Sequence, residues 1–560
     1  MSARRGDPAA AGEETAEELL ERVRGMVPAA LDAAAAAGGF PGRWKAIAAK
    51  LEALPARLSD LSSHPCFAKN ALCRELLQSV AATLAEAAEL AARCREPPAA
   101  GKLRTQSAVD ALAGKLDLSL RDCALLVRTG VLSDASVGPS APPEADVREL
   151  LARLQIGQTD AKSRAVDGLL EALRRDEKGV LAVLGRANVA ALVQLLTAPA
   201  PAVREKAAAA VCRVAESGAC EALLVSEGVL PPLVRLAESG SLVAREKAAL
   251  TLQRLSGASP DVARAVVGHG GAGALIEICR TGDSVSRSAA AGALKNLSAV
   301  PEVWQALADV GIVRVMVGLL DCCGGAVGVG GSKEHAAECL QNLTSRTDGL
   351  RRAVVSEGGL RGLIACLDGP SPPESAVAAL RNLVGCVSAD SLVSLGVLPR
   401  LVHVLRVGST GAQQAAAAAI CRIASSDGNE MKRGVGEHGC MPLLVRLLES
   451  KSNGAREVAA QALATLLGCP ANAREMKKDD KGVPCLVQLL DPSPANTAKK
   501  YAIACLLTLS ATKRCRKLMI SHGAIGYLKK LSDMDVAGAK KLLDRLERGS
   551  LRSLFSTTGN

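Results

Sequence analysis

Three asparagines recur in apolar, helix-patterned segments of the chain, and their side chains bring polar chemistry to places where a helix disfavours it. The segments "AGALKNLSAV", "ECLQNLTSR" and "AALRNLVGC" contain Asn296, Asn342 and Asn382. Asparagine is unfavourable inside a helix because its amide competes with the backbone for hydrogen bonds. The same amide both donates and accepts, so it can satisfy a peptide unit of any sequence. The alternative is that these asparagines cap or satisfy neighbouring helix ends within the protein.

Cysteine and histidine, the other residue types that could do chemistry, do not form a recognisable site. The chain has 18 cysteines and no C-x-x-C pair, and many lie at apolar helix positions, such as Cys212, Cys366 and Cys505. We therefore expect buried, reduced thiols and a reducing compartment. In "SHPCFAKNALCREL", His64 and Cys66 are too close for a usual zinc set, and no second ligand pair follows. No metal, cofactor or catalytic group is predicted.

The elements that would position the asparagines repeat along the chain. Segments such as "GVLPPLVRLA" and "GVLPRLVHVL" return every 38 to 47 residues. The ten registers start at residues 145, 187, 228, 270, 311, 358, 396, 439, 481 and 523. A period of this length with only helical patterns is typical of stacked two- or three-helix units.

Each unit reads as three helices. A short helix such as "PDVARAVVGHG" ends at a glycine, which permits the positive φ of a sharp turn. A second helix such as "LPPLVRLAES" follows, and a polar loop leads to a long third helix such as "REKAALTLQRLS". One unit cannot bury its apolar face alone, so we predict an all-α fold in which stacking supplies the core.

The pattern resembles armadillo repeats over residues 145–549, where "EGVLPPLVRL" followed by "REKAALTLQRLS" is a typical unit. The resemblance implies a right-handed α-solenoid of about 9–10 repeats, with third helices lining a concave groove and terminal repeats acting as caps. It also implies that third-helix asparagines hold the backbone amides of an extended peptide. In register, that position reads Ala172, Arg213, Arg254, Asn296, Asn342, Asn382, Arg422, Thr465 and Thr508.

Hydrogen bonds from the asparagines alone would bind a peptide weakly. Each net hydrogen bond contributes ~0.5–1.5 kcal/mol, so three contribute ~1.5–4.5 kcal/mol, less than micromolar binding requires. Side-chain pockets or charge must add the rest. Arg213, Arg254 and Arg422 could pair with acidic or phosphorylated residues of a partner. Alternatively, these arginines are solvated or paired within the protein.

One departure concerns nuclear-import adaptors built from armadillo repeats. Those proteins carry tryptophan one helical turn before the asparagine, whereas this chain has Gly292, Glu338 and Ala378 there. No arginine-rich segment opens the chain either. Import-receptor function is therefore not expected.

The unit that starts at residue 311 is longer than the others, and its excess is "CCGGAVGVGGSK" (322–333). Dense glycine predicts a flexible loop, with a ligand-gating loop as the alternative. The segment fails the pattern of a phosphate-binding loop because Lys333 is followed by Glu334 and no strand precedes it. Only proximity suggests redox reactivity of Cys322 and Cys323.

Residues 14–132 do not fit the repeat and are predicted to form a helical bundle. Helical apolar spacing covers residues 14–26, 43–58, 67–95, 105–113 and 118–125, and "SDASVGPSAPPE" (133–144) reads as a linker. Through "HPCFAKNALCRELLQSVAATLAEA" and "GKLRTQSAVDALAGKLDLSLRDC", the region resembles the N-terminal domain of plant U-box/armadillo proteins and plant armadillo-only proteins. The Cys-Pro-Ile core of a U-box is missing, so the resemblance implies no ubiquitin-ligase activity.

The net charge of +11 is concentrated near the C-terminal end, where 13 Lys and Arg face 4 Asp and Glu from Thr497 onward. The predicted basic surface comprises Lys499, Lys500, Lys513, Arg514, Arg516, Lys517, Lys529 and Lys530, followed by Lys540 and Lys541. Four interpretations of this surface are open. It could belong to a solvated capping repeat, contact anionic lipid, contain a nuclear-import signal in "KRCRK" or contact nucleic acid. Aromatic residues are only 1% of the chain, which argues against stacking on nucleic acid. Residues 550–560 are predicted to be a flexible tail.

These features predict a non-enzymatic scaffold or adaptor that binds extended segments of partner proteins in the concave groove. One alternative is a substrate-recruiting subunit of a ubiquitin-ligase or kinase pathway supplied by another chain. The other is an organiser at an anionic membrane surface. The N-terminus lacks the apolar segment of a signal peptide, and no apolar run reaches ~18 residues. We therefore expect a cytoplasmic or nuclear protein, with peripheral membrane association as the alternative.

Overall fold

The computed structural model describes residues 14–95, 102–128, 132, 143–156, 159–321, 330–426 and 429–557. Every regular element within them is a helix. Contacts divide the chain into two compact units, residues 1–251 and 252–560. The predicted all-α fold class is confirmed.

The first unit begins with a four-helix bundle. Its helices are α1 (Ala16–Ala35), α2 (Pro41–Ser62), α3 (Ala71–Arg93) and α4 (Lys102–Arg128). α1 packs against α2 and α3, and both of these pack against α4. Thr15 and Glu18 form a capping box that fixes the start of α1. Leu54 and Leu58, one turn apart on α2, are fully buried in the bundle core.

The last bundle helix is longer than its sequence pattern suggested. Two helices were expected at 105–113 and 118–125, but α4 runs through both. Leu112 and Leu116 keep helical spacing on its buried face, and the lone Gly114 between them does not interrupt the helix. The predicted linker lies outside the described residues, except that its last two residues open the next helix.

The rest of the first unit consists of repeat helices. They are α5 (Pro143–Gln155), α6 (Thr159–Arg175), α7 (Glu177–Val183), α8 (Arg186–Leu195), α9 (Pro201–Glu216), α10 (Glu221–Ser226), α11 (Leu230–Ser239) and α12 (Leu242–Ala258), which crosses into the second unit. Ala152 on α5 and Ile156 just after it belong to the apolar core of the bundle. The bundle and the first repeat helix therefore share one core.

The second unit continues the three-helix pattern. Its helices are α13 (Pro260–Gly268), α14 (Gly271–Thr281), α15 (Ser284–Ser298), α16 (Trp304–Asp309), α17 (Ile312–Asp321), α18 (Gly330–Thr344), α19 (Asp348–Ser356), α20 (Gly359–Ala365), α21 (Glu374–Leu383), α22 (Ala389–Ser394), α23 (Val397–Val407), α24 (Thr410–Ser426), α25 (Asn429–Glu437), α26 (Cys440–Leu447), α27 (Asn453–Leu466), α28 (Pro470–Met476), α29 (Gly482–Gln488), α30 (Lys499–Leu509), α31 (Lys513–Ser521), α32 (Ala524–Asp533) and α33 (Ala539–Thr557). Single 3-10 turns lie at Phe67–Lys69, Pro301–Val303, Cys366–Asp368 and Val384–Cys386.

The predicted glycine turns start the second helices. Positive φ values of 67° to 84° occur at Gly228, Gly270, Gly311, Gly358, Gly396, Gly439 and Gly523. Only glycine adopts this conformation without strain, which explains why glycine marks the period. Three register starts are exceptions: Lys481 has a φ of −90°, and Ala145 and Ala187 lie inside α5 and α8.

Small side chains fill the space between adjacent third helices. Ala412, Ala416 and Ala419 are fully buried on α24, which packs against α21 and α27. Because alanine has only a β-carbon, neighbouring helices can approach closely, so the position of one third helix strongly constrains the next.

Buried thiols contribute to the same interior. Of the 16 cysteines in the described residues, 14 are buried, including Cys212 and Cys505, whereas Cys366 is half-buried. Burial raises the pKa of Cys279 and Cys339 to about 12. These thiols are therefore protonated at neutral pH and pack as small hydrophobic groups.

Parts of two segments that were predicted to be irregular are helical. α18 begins at Gly330, inside the predicted glycine loop, whereas residues 322–329, with Cys322 and Cys323, lie outside the described residues. α33 extends to Thr557, so the predicted flexible tail is helical as far as that residue. The reason lies in Leu551, Leu554 and Phe555, which have helical spacing.

Within the described ranges, no single helix has both the length and the apolar composition to cross a membrane. Three sharply bent helix pairs meet that test by length and composition only: α7 with α8, α13 with α14, and Pro301–Asp309 with α17. The same ranges contain no group of three or more His, Cys, Asp and Glu side chains placed to hold a metal ion.

Candidate partner-binding surface

The predicted asparagine position recurs on adjacent third helices of the second unit. α15 carries Asn296, α18 carries Asn342 and α21 carries Asn382, and each of these helices packs against the next. The structure therefore brings the three asparagines into one series.

Asn296 directs its amide nitrogen at the preceding third helix. Its Nδ2 donates to the backbone oxygen of Gln253 at 2.8 Å and to Ser256 Oγ at 3.3 Å. Both hydrogens of the amide nitrogen are thus directed at groups within the protein.

Asn342 repeats this arrangement one unit later. Its Nδ2 donates to Ser298 Oγ at 3.0 Å and, more weakly, to the backbone oxygen of Lys295 at 3.5 Å. Lys295 lies in the last four residues of α15, where carbonyl groups lack partners within their own helix. Ser298 Oγ of the same helix also donates to this carbonyl at 2.6 Å, so Asn342 adds a second bond that comes from the next repeat.

Asn382 is satisfied on both sides of its amide and is only 5% exposed. Its Nδ2 donates to the backbone oxygen of Gln341 at 3.3 Å and to Thr344 Oγ1 at 3.2 Å. Its Oδ1 accepts from the Arg381 guanidinium, with an Nη2–Oδ1 distance of 3.1 Å. Burial and the neighbouring charge of Arg422 lower the pKa of Arg381, so this acceptor helps to compensate a partly desolvated cation.

One rule describes the series. Each asparagine bonds the carbonyl of the residue just before the register position in the preceding repeat, and the hydroxyl two residues after it. Arg422 keeps the first half of this rule, because its Nη1 donates to the backbone oxygen of Arg381 at 3.2 Å. We call this series of inter-repeat bonds the carbonyl ladder. At ~0.5–1.5 kcal/mol for each net bond, it ties successive repeats together.

The acceptor sides of two asparagines remain open. Among the described residues, no group donates a hydrogen bond to Oδ1 of Asn296 or Asn342. The side chains were predicted to offer a partner both a donor and an acceptor, but the structure leaves only the acceptor. That a partner binds there stays a prediction.

A cavity of about 500 Å³ lies beside these two acceptors. Its lining includes Asn296, Asn342, Lys295, Glu334, Glu338 and Glu374. Lys295 Nζ is 3.3 Å from Glu338 Oε2, so that pair neutralises itself and the other two glutamates leave the cavity negative. Burial and Lys295 lower the pKa of nearby His335, which therefore adds no positive charge at neutral pH. The cavity presents mainly acceptors and negative charge.

The positions that hold tryptophan in import adaptors are covered from the preceding repeat. A β-carbon at Gly292 would collide with the side chain of Gln253. One repeat later, Glu338 occupies the position and pairs with Lys295. Polar side chains of this chain therefore occupy the places where import adaptors have tryptophan rings.

The arginines of the series differ in their local partners. Arg213 is on α9 in the first unit, with its Nη1 2.7 Å from Glu216 Oε2 and its Nη2 3.9 Å from Glu177 Oε2. This arginine therefore follows the predicted alternative, pairing within the protein. Arg254 and Arg422 are both exposed, and Arg422 also belongs to the carbonyl ladder.

Several residues of the predicted basic surface have structural partners. Lys499 Nζ donates to the backbone oxygen of Ser493 at 3.2 Å, and Arg516 to that of Ser510 at 2.7 Å. Arg514 forms an ion pair with Asp480. Lys500 lies over the ring of Tyr501, 4.7 Å from its centroid, and Lys529 Nζ is 4.0 Å from Glu547. Lys513, Lys517 and Lys530 are exposed and, in the described part of the chain, lack an ion-pair or hydrogen-bond partner.

Two sets of residues were missed at the level of sequence. The first set consists of the hydroxyl groups of Ser256, Ser298 and Thr344, which complete the carbonyl ladder. In the sequence, they could have been found as a Ser or Thr two residues after the register position of the repeat that precedes each asparagine. The second set consists of the lysines in the "KKDDK" run at 477–481. Arg514 of α31 forms an ion pair with Asp480 of this run, so the run lies next to α31.

Comparison with known families identifies the repeats. The family model described as "Armadillo/beta-catenin-like repeat" matches residues 389–425 and 428–468. The chain contains armadillo repeats. A second model, "Domain of unknown function (DUF7032)", matches residues 21–131 and thus covers most of the α1–α4 bundle. Neither description is that of a catalytic family.

Two solved structures are similar to this chain. The armadillo chain is similar to a crystal structure of an engineered protein at 26% identity and a TM-score of 0.61, over 72% of this chain and 98% of the other. It also matches a designed armadillo repeat protein at 24% identity with a TM-score of 0.39, over 42% of this chain and 99% of the other. No curated protein matches the sequence.

Proposed function

We propose that this armadillo-repeat protein is a non-enzymatic scaffold that binds extended segments of partner proteins along the third helices of its second unit. The observation that carries the proposal is the pair of open acceptors, Asn296 Oδ1 and Asn342 Oδ1, which lie one repeat apart beside a negative cavity. An extended segment offers N–H groups that such acceptors can receive.

The chemistry of the cavity narrows the class of partner. Two hydrogen bonds to the asparagines contribute only ~1–3 kcal/mol, whereas micromolar binding needs about 8 kcal/mol. Most of the affinity must therefore come from elsewhere, and Glu334 and Glu374 are the charged groups at hand. We propose that the segment carries lysine or arginine.

The experiment uses the full chain and extended 15-residue peptides that differ in charge, with affinity measured by fluorescence anisotropy. Glu334→Gln with Glu374→Gln removes the negative charge but leaves the carbonyl ladder intact. We expect about 3- to 10-fold weaker binding of basic peptides, since a charged hydrogen bond contributes ~1.5–3 kcal/mol and salt screening reduces it at an exposed site.

The matched control is Glu430→Gln with Glu475→Gln, which removes two exposed carboxylates elsewhere in the second unit. This control should leave the affinity unchanged, and all variants should have the same circular dichroism and Tm. Equal binding of acidic and basic peptides would contradict the proposed partner class. No binding of any extended peptide would contradict the scaffold role at this surface.

We further propose that the protein works in the cytoplasm or nucleus of a plant cell. Support comes from the resemblance of its N-terminal sequence to plant armadillo-only and U-box/armadillo proteins. A role in recruiting substrates for a ubiquitin-ligase or kinase pathway would use the same surface and differ only in the partner. Mass spectrometry of proteins captured by the wild type but not by the double glutamine variant would separate the two roles.

A further inference from the structure

A group of lysines lies where the turn between α28 and α29 meets α31. Lys477 and Lys478 directly follow α28, and Lys481 directly precedes α29. Arg514, in the first turn of α31, forms an ion pair with Asp480 of that turn, and α29 packs against α31. The turn of one repeat and the first helix of the next thus form one continuous surface.

The carboxylates of the turn are used within the protein. Asp479 Oδ1 accepts from the backbone N–H of Lys481 at 2.7 Å and from that of Gly482 at 3.3 Å. Asp480 is occupied by Arg514. These contacts shape the turn, and none of them involves a lysine side chain.

The lysines that remain form a compact group, which we call the turn patch: Lys477, Lys478, Lys481, Lys513 and Lys517. Lys513 and Lys517 are one helical turn apart on α31, about 6 Å along its axis. Lys477 is half-buried and the other four are exposed, and none has a side-chain partner in the described ranges. Residues 475–481 and 513–517 together carry seven basic and three acidic side chains, so positive charge is in excess by four.

The other lysines near the C-terminus lie in a different setting. Lys529, Lys530, Lys540 and Lys541 are on α32 and α33, among four carboxylates: Asp533, Asp535, Asp544 and Glu547. With Arg545 and Arg548 included, residues 529–548 carry a net charge of +2, which is half of the +4 around the turn patch. The excess charge that is visible in the sequence is therefore not spread evenly over the last repeats.

The residue types in the turn patch favour a diffuse anionic surface over a single defined phosphate. Lysine is a point charge on a flexible stem, whereas the planar guanidinium of arginine suits bidentate recognition. Arg514 lies between Lys513 and Lys517 on α31, and its guanidinium is already paired with Asp480 of the turn. Neither the turn nor α31 contains an aromatic residue on which a base could stack.

We propose that the turn patch docks this protein on an anionic lipid surface. Groups of 4–8 basic side chains commonly bind such surfaces, with each lysine increasing the affinity about fivefold. The site uses first and second helices, not the third helices that carry the asparagine acceptors. Membrane contact and partner binding can therefore occur together, and each can fail without the other.

The test is co-sedimentation of the full chain with vesicles of phosphatidylcholine containing ~30% phosphatidylserine, compared with pure phosphatidylcholine. The variant Lys478→Gln, Lys481→Gln, Lys513→Gln, Lys517→Gln removes four charges from the turn patch. At about fivefold for each lysine, we expect binding to fall by on the order of 100-fold or more. Wild-type binding should also weaken strongly with added salt.

The matched control is Lys529→Gln, Lys530→Gln, Lys540→Gln, Lys541→Gln, which removes the same net charge from the same end of the chain. It should retain most of the binding, and both variants should keep the wild-type Tm. The proposal is overturned if the wild type binds neutral vesicles equally well, or if the two variants lose binding equally. It is also overturned if the turn patch is needed for binding a 20-nucleotide oligonucleotide while anionic vesicles are not bound.

Discussion

Two groups of repeats differ at one register position of the third helix. The asparagine repeats have third helices α15, α18 and α21, and the later repeats have third helices α24, α27 and α30. The former carry asparagine there, whereas the latter carry Arg422, Thr465 and Thr508. In each asparagine repeat, the preceding third helix supplies a hydroxyl two residues after the register position. The preceding helices of the later repeats carry Val384, Ala424 and Leu467 instead.

The difference shows that the neighbouring repeat, and not only a ligand, selects the residue at this position. An asparagine is useful where its two amide hydrogens meet both a carbonyl and a hydroxyl. Where the hydroxyl is missing, an arginine can still reach the carbonyl, as Arg422 does. A ladder of asparagines therefore stabilises the stack of repeats, and the binding surface that we propose uses only the acceptors that remain.

The largest effect is expected for Asn382→Ala. The change leaves the partly buried Arg381 guanidinium without its acceptor and removes one of the two side-chain donors to the Gln341 carbonyl, the other being Thr344 Oγ1. Because unsatisfied buried groups cost ~1–3 kcal/mol each, we expect the free energy of unfolding to fall by about 2–3 kcal/mol. Thr465→Ala, at the same position of a later repeat, should cost less than about 1 kcal/mol, since Thr465 Oγ1 bonds mainly to Gln461 of its own helix.

Hydrogen exchange resolved by segment is the suitable measurement, because repeat arrays need not unfold in one step. Protection should fall around α18 and α21 in the Asn382 variant and change little around α27 in the Thr465 variant. Equal losses in both variants would remove the distinction between the two groups of repeats.

An intermediate effect on the free energy of unfolding is expected from pH. It should be similar for the asparagine repeats and the later repeats. Burial raises the pKa of Cys339 on α18 and of Cys440 on α26 to about 12, whereas an unfolded thiol titrates near 9. Between pH 9 and 12 the unfolded state loses protons that the folded state keeps, so stability falls as pH rises through this window. From pH 9 to 10, each thiol should remove about 1 kcal/mol.

Chemical denaturation at pH 7.5, 9 and 10 measures this decline. Cys339→Ala and Cys440→Ala should each reduce the decline by a similar amount, because both thiols are buried in the same kind of core. A much larger change for Cys339 than for Cys440 would show that the two groups of repeats also differ in their packing.

Most of the repeat architecture was predictable because it rests on local requirements. A glycine such as Gly396 is needed where φ is positive, and the amphipathic spacing that follows defines the second and third helices. The same registration aligned Asn296, Asn342 and Asn382 at one third-helix position, and their bonds to equivalent carbonyls agree with that alignment.

The rest depends on tertiary distances that no local pattern contains. Ser298 and Thr344 look like ordinary helix residues until the next third helix is placed beside them. Similarly, net charge along the chain could not show that the 477–481 turn meets α31, because the two are joined by an ion pair across more than 30 residues. The direction in which a side-chain amide points was therefore the hardest feature to predict.

The smallest effect, and the most direct test of the rule, comes from moving the asparagine arrangement into a later repeat. Val384→Thr alone should cost about 1–2 kcal/mol, because it buries a hydroxyl without its amide partner. In combination with Arg422→Asn, the new amide can reach both the Arg381 carbonyl and the new hydroxyl, so the cost should be smaller. A double-mutant cycle should show a favourable coupling of about 0.5–1 kcal/mol. Strict additivity would mean that the hydroxyl is incidental, and the recurrence of asparagine would then be better explained by a bound partner.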